Sequence, residues 1–134
     1  MRRRARGESE WALDVIRRLE VPAQASLDDV ITLVARRIGR QIAVVPIDAP
    51  VANGALEEGP GGALWIRVPT GISVFYHRHV VCRGLVRALY REAGARHGQT
   101  DYTHAIEREI EYAATALSAR LARHRRSPTH LSSS

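Results

Sequence analysis

Residues 79–91, His-Val-Val-Cys-Arg-Gly-Leu-Val-Arg-Ala-Leu-Tyr-Arg, constrain the fold more than any other stretch. Here the hydrophobic pattern takes up the 3.6-residue period of a helix. Ahead of them lie two strand-like runs, Ala63-Leu64-Trp65-Ile66-Arg67-Val68 and Ile72-Ser73-Val74-Phe75-Tyr76-His77. Pro69-Thr70-Gly71 between these runs reads as a tight turn, which predicts a hairpin. A helix is expected over 79–93. On its wheel Val81, Cys82, Leu85, Val86, Ala88 and Leu89 share one side, and Arg83, Arg87, Tyr90 and Arg91 share the other.

Upstream, Ser9 is a plausible cap for a short helix over 8–20. Trp11, Ala12, Val15, Ile16 and Leu19 recur along it at helical spacing, with Leu13 at the edge of the stripe and Pro22 beyond its end. A second helix has clearer punctuation. Ser26 can cap it, Asp28 and Asp29 complement its positive end, and Gly39 stops it. Leu27, Val30, Ile31, Val34, Ala35 and Ile38 form its stripe, opposite a face bearing Arg36, Arg37 and Arg40. Residues 41–47 read as a strand, with Pro46 favouring an edge or an end. Residues 48–62 read as a flexible loop without the Gly-Lys-Ser/Thr of a phosphate loop. Residues 94–100 read as a second loop. A last helix begins near Thr103 and runs to about residue 124. Ile106, Ile110, Ala113, Ala114, Leu117 and Leu121 form its buried stripe, flanked by Glu107 and Glu111 one turn apart.

A length of 134 residues suits one domain. Residues 1–7 form a basic arm, 8–124 the domain, and 125–134 a polar tail expected to be disordered. The net charge of +6 comes from the two ends. Between residues 7 and 118 stand 12 arginines against 14 acids, a net of −2. Short basic ends support weak, non-specific nucleic-acid binding at most. All 20 basic residues are Arg, which we read as a coding bias toward GC rather than selection for bidentate contacts. No apolar run reaches membrane-spanning length, the basic start lacks a signal-peptide core, and the single cysteine has no internal partner. A cytoplasmic location is the resulting expectation.

The order of elements resembles the ImmA/IrrE family of small zinc metallopeptidases. The likeness is greatest to short actinobacterial members, often encoded beside helix-turn-helix regulators. It is carried by the helix-then-strand cadence of Leu27 to Pro46, by Gly62-Ala63-Leu64-Trp65 and Ser73-Val74-Phe75-Tyr76, by Arg78-His79-Val80-Val81 leading into the motif helix, and by Glu107-Arg108-Glu109-Ile110-Glu111-Tyr112-Ala113-Ala114. Active members carry H-E-x-x-H, two zinc-binding imidazoles around a general-base glutamate, with a later glutamate as third ligand. Carried over, the two histidine positions are Arg83 and Arg87 and the glutamate position is Gly84. The later ligand corresponds to Glu107 or Glu109. Guanidinium has no lone pair to give a metal, and glycine is no base. The resemblance therefore implies an α+β, zincin-like fold without its zinc motif: a small three-stranded sheet with a hairpin, packed by about four helices. No zinc cofactor is expected.

Two readings of the arginines stay open. Either they hold Glu107 or Glu111 where zinc once did, or they are a solvated face. For function, the resemblance implies a catalytically inactive pseudopeptidase that binds a protein partner. That partner is of helix-turn-helix or toxin–antitoxin type, and the groove would be formed by Arg83, Arg87, Tyr90, Arg91, Glu107, Glu109 and Glu111. One alternative is a metallopeptidase with a displaced site built from His77, His79, His97 or His104, whose spacings match no strong zinc signature. Another is a nucleic-acid accessory acting through the basic ends. Cys82 reads as a small buried hydrophobe rather than a nucleophile paired with His79. Trp65, Phe75 and Tyr76 read as core or hairpin-face residues, and Tyr90 and Tyr112 as candidates to line the cleft.

Overall fold

The computed structural model describes residues 2–48, 55–97 and 104–125. It is an α+β fold with four helices around a three-stranded mixed sheet. Helices α1 (Arg2–Leu19) and α2 (Leu27–Ile38) come first, then strands β1 (Ile42–Ile47), β2 (Ala55–Glu58) and β3 (Leu64–Pro69), then helices α3 (Val74–His97) and α4 (His104–Arg125). Among the described residues no helix is long and apolar enough to cross a membrane.

The punctuation of α2 follows its sequence. Ser26 Oγ accepts the Asp29 N–H at 3.1 Å, and Asp29 Oδ2 accepts the Ser26 N–H at 3.0 Å. This reciprocal box satisfies two donors that the first turn leaves open. Gly39 ends the helix with φ at 72°, a left-handed conformation in which a side chain is disfavoured. Helix α1 starts at Arg2 rather than near Ser9, so the backbone of the expected basic arm is helical from Arg2. Ala12, Ile16 and Leu19 are buried on its inner side, while Leu13 is exposed.

The sheet departs from expectation. Its order is β1-β3-β2, with β1 parallel and β2 antiparallel to the central β3. The expected hairpin between 63–68 and 72–77 does not form. After β3 the chain turns through Gly71 (φ 76°) and enters α3 at Val74. Ser73 caps that helix, its hydroxyl accepting the Tyr76 N–H at 3.1 Å. The β-branched and aromatic composition of residues 72–77 imitates a strand, but the cap and the turn set a helix. Phe75 and Tyr76 consequently stand exposed on the first turn of α3 instead of lining a hairpin or the core.

A hairpin exists on the other side of β3. Ala55–Glu58, expected as loop, pairs with it so that Leu56 lies opposite Ile66 and Glu57 opposite Trp65. The connection is the short 3-10 turn Pro60–Gly62. Gly59 makes the turn possible, since a Cβ there would lie 2.5 Å from the Trp65 indole nitrogen. Two charged residues end β2 and hide its strand character. Glu57 meets Arg67 at 3.3 Å, and Glu58 meets Arg40. Pro46 sits on β1, an edge strand, where its missing N–H does no harm.

Leu64, Ile66 and Val68 alternate toward the helices and are buried. Helix α3 lies across this face as the centre of the molecule. Val80, Val81, Cys82, Gly84, Leu85, Val86 and Ala88 are all buried, so the one-sided apolar stripe expected for it becomes burial nearly all round. The helix also continues through the expected 94–100 loop as far as His97. Ile110, Ala113, Ala114, Leu117 and Leu121 of α4 close the core, with Val30 and Val34 of α2. Full burial of each valine, leucine or isoleucine among them contributes about 1.5–3 kcal/mol. The polar tail from residue 126 onward lies outside the described residues.

Candidate functional site: an arginine–carboxylate ladder between two helices

Arg83 and Arg87 lie one turn apart on α3, and Glu107 and Glu111 lie one turn apart on α4. The helices run antiparallel, so the two spacings meet as a ladder. Arg87 forms a fork-to-fork pair with Glu107, Nη1 to Oε2 at 2.8 Å and Nη2 to Oε1 at 3.1 Å. Arg83 Nη1 donates to Glu111 Oε1. His79, one turn before Arg83, donates through Nε2 to Glu111 Oε2 at 3.0 Å, and Thr115 Oγ1 donates to the same oxygen at 3.3 Å. Glu111 is thus held from three sides.

The arginines are not a solvated face. Their side chains are 22% and 17% exposed, against 44% for Glu111 and 41% for Glu107. The cations are drawn in between the helices while the carboxylates keep one side toward water. The hydrogen bonds from Arg87 hold the Glu107 carboxyl below the usual range, against the opposing effect of burial, with help from the charges of Arg87 and Arg83. The Nε of Arg83 is buried with no hydrogen-bond partner among the described residues.

Other candidate residues are distributed elsewhere. Tyr90 packs edge-on against Trp11 of α1, with ring centroids 4.9 Å apart. Arg91 approaches Glu58 of β2 at 3.9 Å, away from the ladder. Glu109, two residues from each ladder carboxylate, is turned to another side of α4 by helical geometry. Tyr112 is exposed. The ladder thus keeps Arg83, Arg87, Glu107 and Glu111 of the expected groove and leaves Tyr90 and Arg91 outside it. It adds His79 and Thr115, which sequence reasoning had not placed there. The signal for both was spacing, His79 four residues before Arg83 and Thr115 four after Glu111.

The displaced histidine site does not assemble from its described members. His77 and His79, expected at a strand–helix junction, are both in α3, where residues two apart point to nearly opposite sides. His79 faces Glu111, whereas His77 lines an apolar pocket with Val44, Pro46, Val68 and Ile72. The side chains of His97 and His104 lie outside the described residues. Among the described residues no group of three or more His, Cys, Asp or Glu side chains is placed to hold a metal. Arg83 and Arg87 themselves offer a metal nothing, since a guanidinium group has no lone pair to give.

Gly84 adds a constraint of its own. It faces the sheet, and a Cβ there would lie 2.7–2.9 Å from three side-chain carbons of Ile66. A glutamate at this position has no room in the present packing. Cys82, at the same depth, is fully buried, and burial pushes its thiol up to about 12 despite the nearby charge of Arg78. It is neutral and inert at ordinary pH. No protein-family model, curated protein or solved structure matches the chain.

Proposed function

We propose that this chain is a non-catalytic, metallopeptidase-like regulatory protein that binds a protein partner along the open edge of the α3–α4 ladder. The observation that carries the reading is the ladder itself. On the register that the resemblance to ImmA/IrrE-type peptidases implies, Arg83 and Arg87 replace the two ligand histidines, and their guanidinium groups hold the carboxylates of the following helix. Fixed cations there bind the two helices together without a metal. The element order, two helices, a small sheet, and then two helices of which the second bears glutamates, supports a zincin-like reading as well. The half-exposed faces of Glu107 and Glu111 offer acceptors to a partner's basic or amide groups. By analogy with the resemblance, that partner is a helix-turn-helix regulator.

The test is to look for a helix-turn-helix gene beside this one and, with the protein such a gene encodes, to measure association with the untagged full chain by calorimetry. A saturable complex weakened at least tenfold by Glu111→Gln is the expected result. Absence of a complex, together with metal-dependent cleavage of the regulator, would overturn the proposal.

A further inference from the structure

The most buried arginine of the described chain has no counter-charge. Arg17, Arg18, Arg40, Arg67, Arg83, Arg87 and Arg91 each have a carboxylate within ion-pair range. Arg78 is only 6% exposed, and none of the ion pairs among the described residues includes it. Its Nε is buried with no hydrogen-bond partner among the described residues. Cys82, one turn on, cannot neutralise it, because that thiol stays protonated. A buried charge left in this state is costly unless something outside the described chain completes it.

The direction of the side chain shows where. Arg78 folds back toward the start of its own helix and sets its guanidinium carbon 5.1 Å from the centre of the Phe75 ring. That start is itself electropositive and uncompensated. Ser73 takes the N–H of Tyr76 on its hydroxyl and that of His77 on its carbonyl, which leaves the N–H groups of Val74 and Phe75 without hydrogen bonds among the described residues. No acid occupies the first turn of α3, whereas α2 has Asp28 and Asp29 and α4 has Glu107. The free amides, the positive end of the helix and the guanidinium stacked on Phe75 thus all belong to the first turn and a half of α3. Around it the surface is apolar, with Val74 65% and Phe75 72% exposed.

We propose that the amino-terminal end of α3 is a carboxylate-binding site, taking the carboxylate of a peptide that places an apolar side chain against Phe75. One guanidinium and two amides suit a planar, singly charged oxyanion, which two parallel hydrogen bonds can hold. A phosphate dianion would call for more cationic groups than the spot supplies, and would gain nothing from the apolar rim. The site lies on a different part of α3 from the ladder and does not depend on the function proposed for it.

The test is an amide and arginine-side-chain NMR titration of the full chain with three probes: N-acetyl-Leu-Phe with a free carboxylate, the same peptide as its amide, and inorganic phosphate. The free acid should produce saturable shifts at the Val74 and Phe75 amides and the Arg78 Nε–H, with the amidated peptide at least tenfold weaker. Arg78→Gln, checked for folding by circular dichroism, should abolish the shifts, and Phe75→Ala should weaken binding of the acid. Equal binding of the amidated peptide overturns the carboxylate assignment, and tighter binding of phosphate overturns the peptide. No saturable shift with any probe removes the site altogether, a result available from the wild-type chain alone.

Discussion

Gly84→Ala should change sign with its neighbour. The added methyl would lie 2.7, 2.9 and 2.9 Å from Ile66 Cγ2, Cδ1 and Cγ1, and Ile66 is completely buried. Those contacts cannot be relieved without moving the side chain or pushing α3 off the sheet, and such overpacking costs about 1–3 kcal/mol. Replacing glycine by alanine within a helix returns about 1 kcal/mol. The expected net loss is therefore about 1 kcal/mol. In an Ile66→Ala background all three opposing atoms are gone, and the same substitution should stabilise by about 1 kcal/mol through helix propensity. Ile66→Ala alone costs about 2–5 kcal/mol, so the comparison must be made at low temperature or with a stabilising osmolyte. Urea titrations followed by circular dichroism give both values, with unchanged slopes as the check on two-state behaviour. A coupling of about 2 kcal/mol is expected. Equal effects in the two backgrounds, or stabilisation of the wild type, would refute the argument that Gly84 exists for close helix–sheet approach.

Three further outcomes follow from the structure. The Glu107 carboxyl is held below its unfolded value, so its contribution is complete above the unfolded pKa and fades as pH falls through the folded one. The stability difference between wild type and Glu107→Gln should therefore be constant near neutrality and shrink below about pH 4 in acid titrations. Cys82 should react with a disulfide reagent only as fast as the protein opens, and urea below the transition should speed the reaction; rapid labelling of the native chain would contradict its burial. Ser26→Ala removes one side of the capping box and should cost about 1 kcal/mol by thermal or urea denaturation, while Thr32→Ala should change stability less.

The helices were largely legible because their signals are local. Ser26 and Gly39 mark the ends of α2, and the stripes of α1 and α4 have the spacing that their packing requires. The ladder was legible for a related reason. Two pairs of opposite charge, each four residues apart on its own helix, can meet only if the helices are neighbours, and the apolar stripes make them so. Of the two failures one was non-local and one was a local cap that composition hid. Glu57 and Glu58 look wrong for a strand until Arg67 and Arg40 are beside them. Residues 72–77 look right for a strand until Ser73 is recognised as a cap. That one misreading also made Phe75 a core or hairpin-face residue and set His77 and His79 at a strand–helix junction. Arg78 left a faint trace, a lone charge four residues before Cys82 and seven before Leu85 on a side otherwise apolar, but its burial without a partner depends on the tertiary packing.

The most direct test of the account is a double-mutant cycle on Arg87 and Glu107, using Arg87→Ala, Glu107→Ala and the double variant in urea denaturation at neutral pH. The pair is bidentate but its carboxylate is 41% exposed, so its hydrogen bonds are discounted for solvent. A favourable coupling of about 1 kcal/mol is expected. Additivity within about 0.3 kcal/mol would mean that the arginines do not hold the α4 carboxylates, and the ladder would lose its place at the centre of the fold and of the proposed function.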